Sequence, residues 1–146
     1  MVASGSTLYV DFGALGLSKW DGTSWTQLTP SDPKNMVASG STLYANFGAL
    51  GLWKWDGTSW TQLSQENPEN MVASGSTLYA NFGASSGLYK WDGAAWSPLT
   101  SANPENMVAS GSALYVDFGA LGLYNWNGTA WIKLTGSNPV IMAISN

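Results

Sequence analysis

The hexapeptide Met-Val-Ala-Ser-Gly-Ser opens the chain at Met1 and returns at Met36, Met71 and Met107. Nothing else in the 146 residues constrains the fold as strongly. Self-similarity at this period marks an array of like supersecondary units, each stacking on its neighbours to bury a core. Four full copies follow, 1–35, 36–70, 71–106 and 107–141. The one extra residue lies in the third copy, where Ala84-Ser85-Ser86-Gly87 replaces the Ala-Leu-Gly of the others. A degenerate fifth start, Met-Ala-Ile-Ser, begins at Met142. Copies this similar point to recent duplication or to design.

Each copy reads as four short strands. Met1–Ser4 runs into Gly5-Ser6, a two-residue turn of the Gly-X kind. Thr7–Phe12 is rich in β-branched and aromatic residues, and a loop over Gly13–Gly16 follows it. Leu17–Trp20 ends at Asp21-Gly22, a pair suited to a hairpin turn, and Trp25–Thr29 is the fourth strand. Pro33, Pro68, Pro104 and Pro139 all fall in the connectors, where no ladder donor is lost. No helical periodicity is present, and Gly or Pro recurs throughout.

The strand faces indicate the architecture. Leu8, Val10 and Phe12 share one face and Tyr9 lies on the other. Trp53 and Trp55 share a face, with Leu52 and Lys54 opposite. A sheet with one wet side alternates cleanly, whereas here both faces carry large apolar groups, as a sheet stacked between two others requires. Radial repetition of four-stranded sheets is the propeller solution to exposed edges. The expected fold is therefore all-β: a small β-propeller of four four-stranded antiparallel blades in one domain, 1–146. Residues 142–146 are expected to supply a closing strand that completes the first blade.

Leu43-Tyr-Ala-Asn-Phe-Gly48, followed by Gly51-Leu-Trp-Lys-Trp-Asp-Gly57 and Trp60-Thr-Gln-Leu63, resembles a shortened propeller blade. The run is similar to kelch and regulator-propeller repeats and to the Trp-Asp-bearing blades of tachylectin-like lectins, and the similarity extends to all four copies.

Closure raises a question of partners. Met142–Ser145 competes with Met1–Ser4 for one slot in the first blade. Either one of them is displaced, or it pairs with a second chain to give a homo-oligomer by terminal strand exchange.

Charge narrows the function. The chain has five Lys, no Arg, no His and no Cys, with a net charge of −4. It lacks the basic stripe that nucleic-acid binding uses and the polybasic anchor of a membrane surface. No apolar run approaches the length of a spanning helix. No charged-then-apolar leader opens the chain, and no feature specifies a compartment. Without His, Cys or Arg, general-base, thiolate and anion-clamping chemistry lack their usual groups. The acids Asp32, Glu66, Glu69 and Glu105 sit in connectors, where solvation explains them. The expectation is a protein without catalysis and without a cofactor.

Binding is the remaining possibility. Trp20, Trp55, Trp91 and Trp126 end the third strands, and Trp25, Trp60, Trp96 and Trp131 begin the fourth. Packing between blades accounts for such rings, and an exposed indole could also stack on a pyranose. Trp53 corresponds to Ser18, Tyr89 and Tyr124, a swing in size that a core position in near-identical blades does not tolerate. Asp21, Asp56, Asp92 and Asn127 precede the hairpin Gly, where a turn role suffices, although they could accept hydrogen bonds from sugar hydroxyls at the rim. Asn127-Gly-Thr129 also matches a glycosylation acceptor. Asp11, Asn46, Asn81 and Asp117 fill one equivalent position. They would form an oxygen cluster for a hard cation if symmetry brought them together, or bond to the adjacent Gly-rich loop if it did not. Two readings follow: a structural repeat scaffold, or a multivalent carbohydrate-binding lectin with equivalent sites near the Trp-Asp-Gly hairpins.

Overall fold

The computed structural model describes residues 1–144. The strands are β1 (Val2–Ser4), β2 (Thr7–Asp11), β3 (Leu17–Trp20), β4 (Trp25–Thr29), β5 (Asn35–Ser39), β6 (Thr42–Asn46), β7 (Leu52–Trp55) and β8 (Trp60–Ser64). They continue as β9 (Asn70–Ser74), β10 (Thr77–Asn81), β11 (Leu88–Trp91), β12 (Trp96–Thr100), β13 (Asn106–Ser110), β14 (Ala113–Asp117), β15 (Leu123–Trp126) and β16 (Trp131–Thr135). Consecutive strands pair antiparallel into four sheets of four, one per repeat. The chain divides into two compact units, Met1–Asn67 and Pro68–Asn146, holding two sheets each. No helix among the described residues is long and apolar enough to cross a membrane.

Local chemistry sets each turn. At Gly5-Ser6, positive φ falls on Gly5 alone, as a Gly-X hairpin requires. The Asp21-Gly22 turn is wider than a two-residue hairpin, with four residues separating β3 from β4. Asp21 Oδ1 accepts from the backbone N–H groups of Thr23 and Ser24, both at 2.9 Å, and so takes over donors that the ladder leaves free. The expected loop after the second strand contains a single 3-10 turn in three repeats, Gly13–Leu15, Gly48–Leu50 and Gly119–Leu121. In the third repeat the extra residue lengthens this loop, and Gly87 N–H reaches Gly83 O at 2.7 Å across one more residue.

Gly51 closes that loop at φ +80°, and a Cβ built there would collide with the carbonyl oxygen of Ser64. Just beyond it the β7–β8 register shifts between Leu52 and Trp53. The bulge recurs in each of the four sheets.

Asn35 pairs with Asn46 as the first residue of β5, so the first connector ends at Lys34. Each connector then docks on the second strand of the repeat it enters: Lys34 N–H donates to Asn46 O at 2.7 Å, and Glu105 N–H to Asp117 O at 2.8 Å.

Sheet stacks on sheet in the same way within each unit. In the first, Val2, Tyr9, Leu17 and Leu28 of one sheet pack on Met36, Leu43, Ala45, Phe47, Trp55 and Trp60 of the next. In the second, Val72, Tyr79, Leu88 and Leu99 pack on Met107, Leu114, Val116, Phe118, Trp126 and Trp131. Each sheet therefore has a leading face, carrying the Tyr and two Leu, and a receiving face, carrying the Phe and two Trp. This is the two-faced pattern read from Leu8, Tyr9 and Val10.

The slot expected for a C-terminal strand is filled by β1, which pairs with β2 from Val2↔Tyr9 to Ser4↔Thr7. Met142–Ile144 form no strand, and Ser145 lies outside the described residues. Pro139 and Ile141–Ile144 instead line, with Val108, Tyr115 and Leu123, a depression of about 320 Å³ on the leading face of the fourth sheet.

Candidate functional site

A concavity of about 570 Å³ lies in the first unit and is built around Trp53. Leu50, Phe47 and Trp60 give it apolar surface, while Gln62, Gln65, Thr29 and Ser31 supply amides and hydroxyls. Trp53 stands opposite Gln62 across the β7–β8 pair because the bulge advances the register by one residue. Trp53 Nε1 donates to Leu50 O at 2.8 Å, and Gln62 Nε2 donates to the same oxygen at 3.0 Å. The indole is half-buried and held in one orientation. Trp60 is fixed by edge contact with Phe47, 5.5 Å between centroids, and by Nε1 donating to Leu28 O at 3.4 Å. The groove contains no His, Cys, Asp or Glu. Its chemistry is therefore that of neutral recognition, an aromatic platform beside hydrogen-bonding groups.

The equivalent positions differ. Ser18 offers no ring. Tyr89 and Tyr124 meet Phe82 and Phe118 edge-on at 5.9 and 5.7 Å, and Lys133 Nζ lies 5.5 Å over the Tyr124 ring. The variable position thus lines a groove in the second repeat and packs on its neighbouring Phe in the third and fourth. Thr29, Ser31, Gln62 and Gln65 had not been singled out from the sequence. Gln62 could have been, since a strand partner two residues into β8 faces Trp53 once the bulge is recognised.

Trp20, Trp55, Trp91 and Trp126, which end the third strands, are half-buried. Trp55 and Trp126 contribute to the two cores. The indole nitrogens of Trp55, Trp91 and Trp126 are buried with no acceptor in reach, a desolvation cost of about 1–3 kcal/mol each set against the packing of the rings. Trp20 packs on Trp25 at 5.5 Å.

The hairpin acids are occupied by their own turns. Besides its two backbone donors, Asp21 Oδ1 accepts from Thr23 Oγ1 at 2.8 Å, and Oδ2 accepts from Ser24 Oγ at 3.2 Å. Asp56 repeats the pattern with Thr58 and Ser59. Backbone N–H donation from the Ser and then the Thr holds both carboxyls far below the usual carboxylate range. Asp92 is lowered by the N–H groups of Ala95 and Ala94. Asn127 accepts from Thr129 and Ala130 through Oδ1 in the same way.

The Asx position turns toward its loop. Asp11, Asn46, Asn81 and Asp117 each accept, through Oδ1, the N–H of Gly13, Gly48, Gly83 or Gly119 at 2.8–2.9 Å. In repeats two to four the same side chain also meets the connector leaving its repeat. Asn46 and Asn81 donate to Asn67 and Asn103, the latter at 2.6 Å. Asn138, with its amide nitrogen toward Asp117, donates to Oδ2 at 3.0 Å. Among the described residues no three acidic or metal-ligating side chains gather at one place.

No protein-family model matches the chain, and no curated protein matches it. Among solved structures it superposes on the computationally designed Ika8 protein with a TM-score of 0.67, over 99% of its length, at 12% identity. It superposes on a chain of the mitotic checkpoint complex with a TM-score of 0.57, over 85%, at 13% identity. It covers 51% and 45% of those two chains, about half of each. At these identities the likeness is one of fold, and it fits a symmetric repeat protein of stacked antiparallel sheets.

Proposed function

We propose that the chain is a non-enzymatic repeat scaffold of the β-propeller type. One observation carries this reading: the same leading and receiving residues meet in both units, so each repeat is an interchangeable layer. Stability in such an array is a sum of repeat and interface contributions. Denaturant unfolding of chains with three, four and five repeats tests this. Unfolding free energy and denaturant slope are expected to rise with each repeat. Values independent of repeat number would reject the scaffold reading.

A second reading rests on the groove. We infer that it takes a neutral carbohydrate at one place rather than at four equivalent hairpin sites. The Trp53 indole would stack on the apolar face of a sugar ring, with Gln62, Gln65, Thr29 and Ser31 beside it to meet hydroxyls. The occupied carboxyls of Asp21 and Asp56 argue against the hairpins as acceptors. A glycan array followed by fluorescence titration tests this reading. Binding that is lost in Trp53→Ala, with the circular dichroism spectrum unchanged, supports it. An array without hits ends the lectin reading and leaves the scaffold reading standing.

A further inference from the structure

Two halves of the repeated sheet interface lack a covering sheet, one on the first sheet and one on the fourth, where Pro139 and Ile141–Ile144 border the face without forming a strand. On the receiving face of the first sheet, Phe12 and Trp25 are 48% and 50% exposed, and Leu8 and Val10 are only half-buried. Their counterparts Leu43, Ala45, Leu114 and Val116 are fully buried under a neighbouring sheet. On the leading face of the fourth sheet, Leu134 is 50% exposed, and Tyr115 and Leu123 are half-buried, whereas Tyr9, Tyr79, Leu17 and Leu88 are covered. The connector leaving the fourth repeat is equally bare, with Val140 and Ile141 exposed. Where a connector does meet the next repeat, its side chain lies over a glycine: Lys34 over Gly48, Glu69 over Gly83 and Glu105 over Gly119. At Gly13, the glycine a fourth connector would cover, an added Cβ would meet nothing within 4 Å.

We propose that these two faces bind each other between chains, the fourth repeat of one copy seating on the first repeat of a second, reciprocally, so that two chains form a closed head-to-tail dimer. Every contact has its pattern within a unit. Trp25 Nε1 would donate to Leu134 O of the second copy, as Trp60 does to Leu28 and Trp131 to Leu99. The Val140 N–H would donate to Asp11 O, as Lys34 does to Asn46 and Glu105 to Asp117. Apolar surface of this kind, already shaped to fit its complement, is what association buries. A head-to-tail contact either closes or propagates. Closure at two copies would give an assembly about as long as the solved chains, of which one copy covers about half. The dimer needs no exchange of strands, since β1 keeps its place beside β2. The inference stands on the sheet packing within each unit and is independent of the groove's ligand.

Sedimentation velocity of the full chain at micromolar concentration tests it. The expected species has twice the 15.5 kDa chain mass, about 31 kDa. Trp25→Asp and Leu134→Asp each place a charge in the contact and are expected to weaken the dimer by tenfold or more. Mixing the two variants is the decisive arm. The intact Trp25 face of one chain can meet the intact Leu134 face of the other, so one of the two contacts is restored and a heterodimer forms, weaker than the parent dimer and tighter than either variant alone. A misfolded variant cannot produce that rescue. A monomer with Trp25 shielded from acrylamide quenching overturns the proposal in favour of closure within one chain. A monomer with Trp25 accessible overturns it outright, and a concentration-dependent ladder of larger species overturns the closed dimer.

Discussion

Trp53 and Gln62, opposite one another on β7 and β8, donate to a single acceptor, the carbonyl oxygen of Leu50, at 2.8 and 3.0 Å. In the first repeat Gln27 makes the same bond to Leu15 O at 2.7 Å with Ser18 in place of the indole. The Gln anchors the 3-10 turn in both repeats, and the Trp is an addition to a completed local structure.

That relationship predicts a mild folding effect for a severe change in size. Trp53→Ser converts the second repeat to the pattern of the first and leaves Gln62 bonded to Leu50. The half-buried ring gives up part of its buried area, so a loss of about 1–2 kcal/mol is expected in urea unfolding, well under the 3–5 kcal/mol typical of a core Trp truncation. A loss in that upper range would show that Trp53 is a core residue after all.

Two glycines with similar φ predict different costs. Gly51 has φ +80° with the Ser64 carbonyl against its Cα, and Gly57 has φ +105° with open space around it. Gly57→Ala bears only the conformational penalty, about 1–2 kcal/mol. Gly51→Ala adds a backbone collision at the bulge that aims Trp53, so about 3 kcal/mol or more is expected. Paired denaturant melts of the two variants measure the difference.

Much of the fold was legible because the signals are local. The bounds of β3, β4, β7 and β8 follow from the Trp that ends one strand and begins the next, with the Asp-Gly turn between. The two-faced sheets were legible from Leu8, Tyr9 and Val10. What stayed hidden depends on neighbours. Phe12 and Phe47 occupy identical positions in nearly identical segments, yet Phe12 is exposed and Phe47 is packed under the sheet before it. The groove was half legible: the Ser18, Trp53, Tyr89, Tyr124 series marked the position. Thr29 and Ser31, which belong to the preceding repeat, could not be assigned to it without knowing how repeats stack. The acids Asp21, Asp56 and Asp92 were legible as turn residues, and the engagement of both carboxylate oxygens in Asp21 and Asp56 was not.

The hairpin carboxyls predict an acid response. The folded-state carboxyls of Asp21 and Asp56 titrate well below the ordinary range, because Ser and Thr N–H groups bond the ionised form. A depressed folded-state pKa stabilises the fold fully above the unfolded value, about 3.9, and that stabilisation is lost as pH falls below it. Asn preserves the Oδ1 bonds, as Asn127 demonstrates, and does not titrate. The Asp21→Asn, Asp56→Asn double variant is therefore expected to melt close to the parent at neutral pH. Below about pH 4 its melting temperature is expected to fall less steeply. Parallel melting curves across that range would remove these turns as the source of acid sensitivity.

The last prediction concerns the one repeat in which the Asx pair has no donor. Asn46 faces Asn67, Asn81 faces Asn103 and Asp117 faces Asn138, each with an amide to give. The first repeat puts Asp11 and Asp32 at the matching positions, and two carboxylates are acceptors only. Asp11 keeps its bond from Gly13 N–H at 2.9 Å and has no amide across from it. Asp32→Asn supplies the missing donor in the geometry Asn138 uses toward Asp117. A gain of about 0.5–1.5 kcal/mol is expected, the worth of one added hydrogen bond. Asp11→Asn, with Asp32 as its acceptor, should gain a similar amount by the arrangement of Asn46 and Asn67. Combining both in one chain should add little beyond either single change, since the pair makes only one bond. Urea titrations of the two single variants and the double variant form a complete cycle, and full additivity would show that the two side chains do not meet.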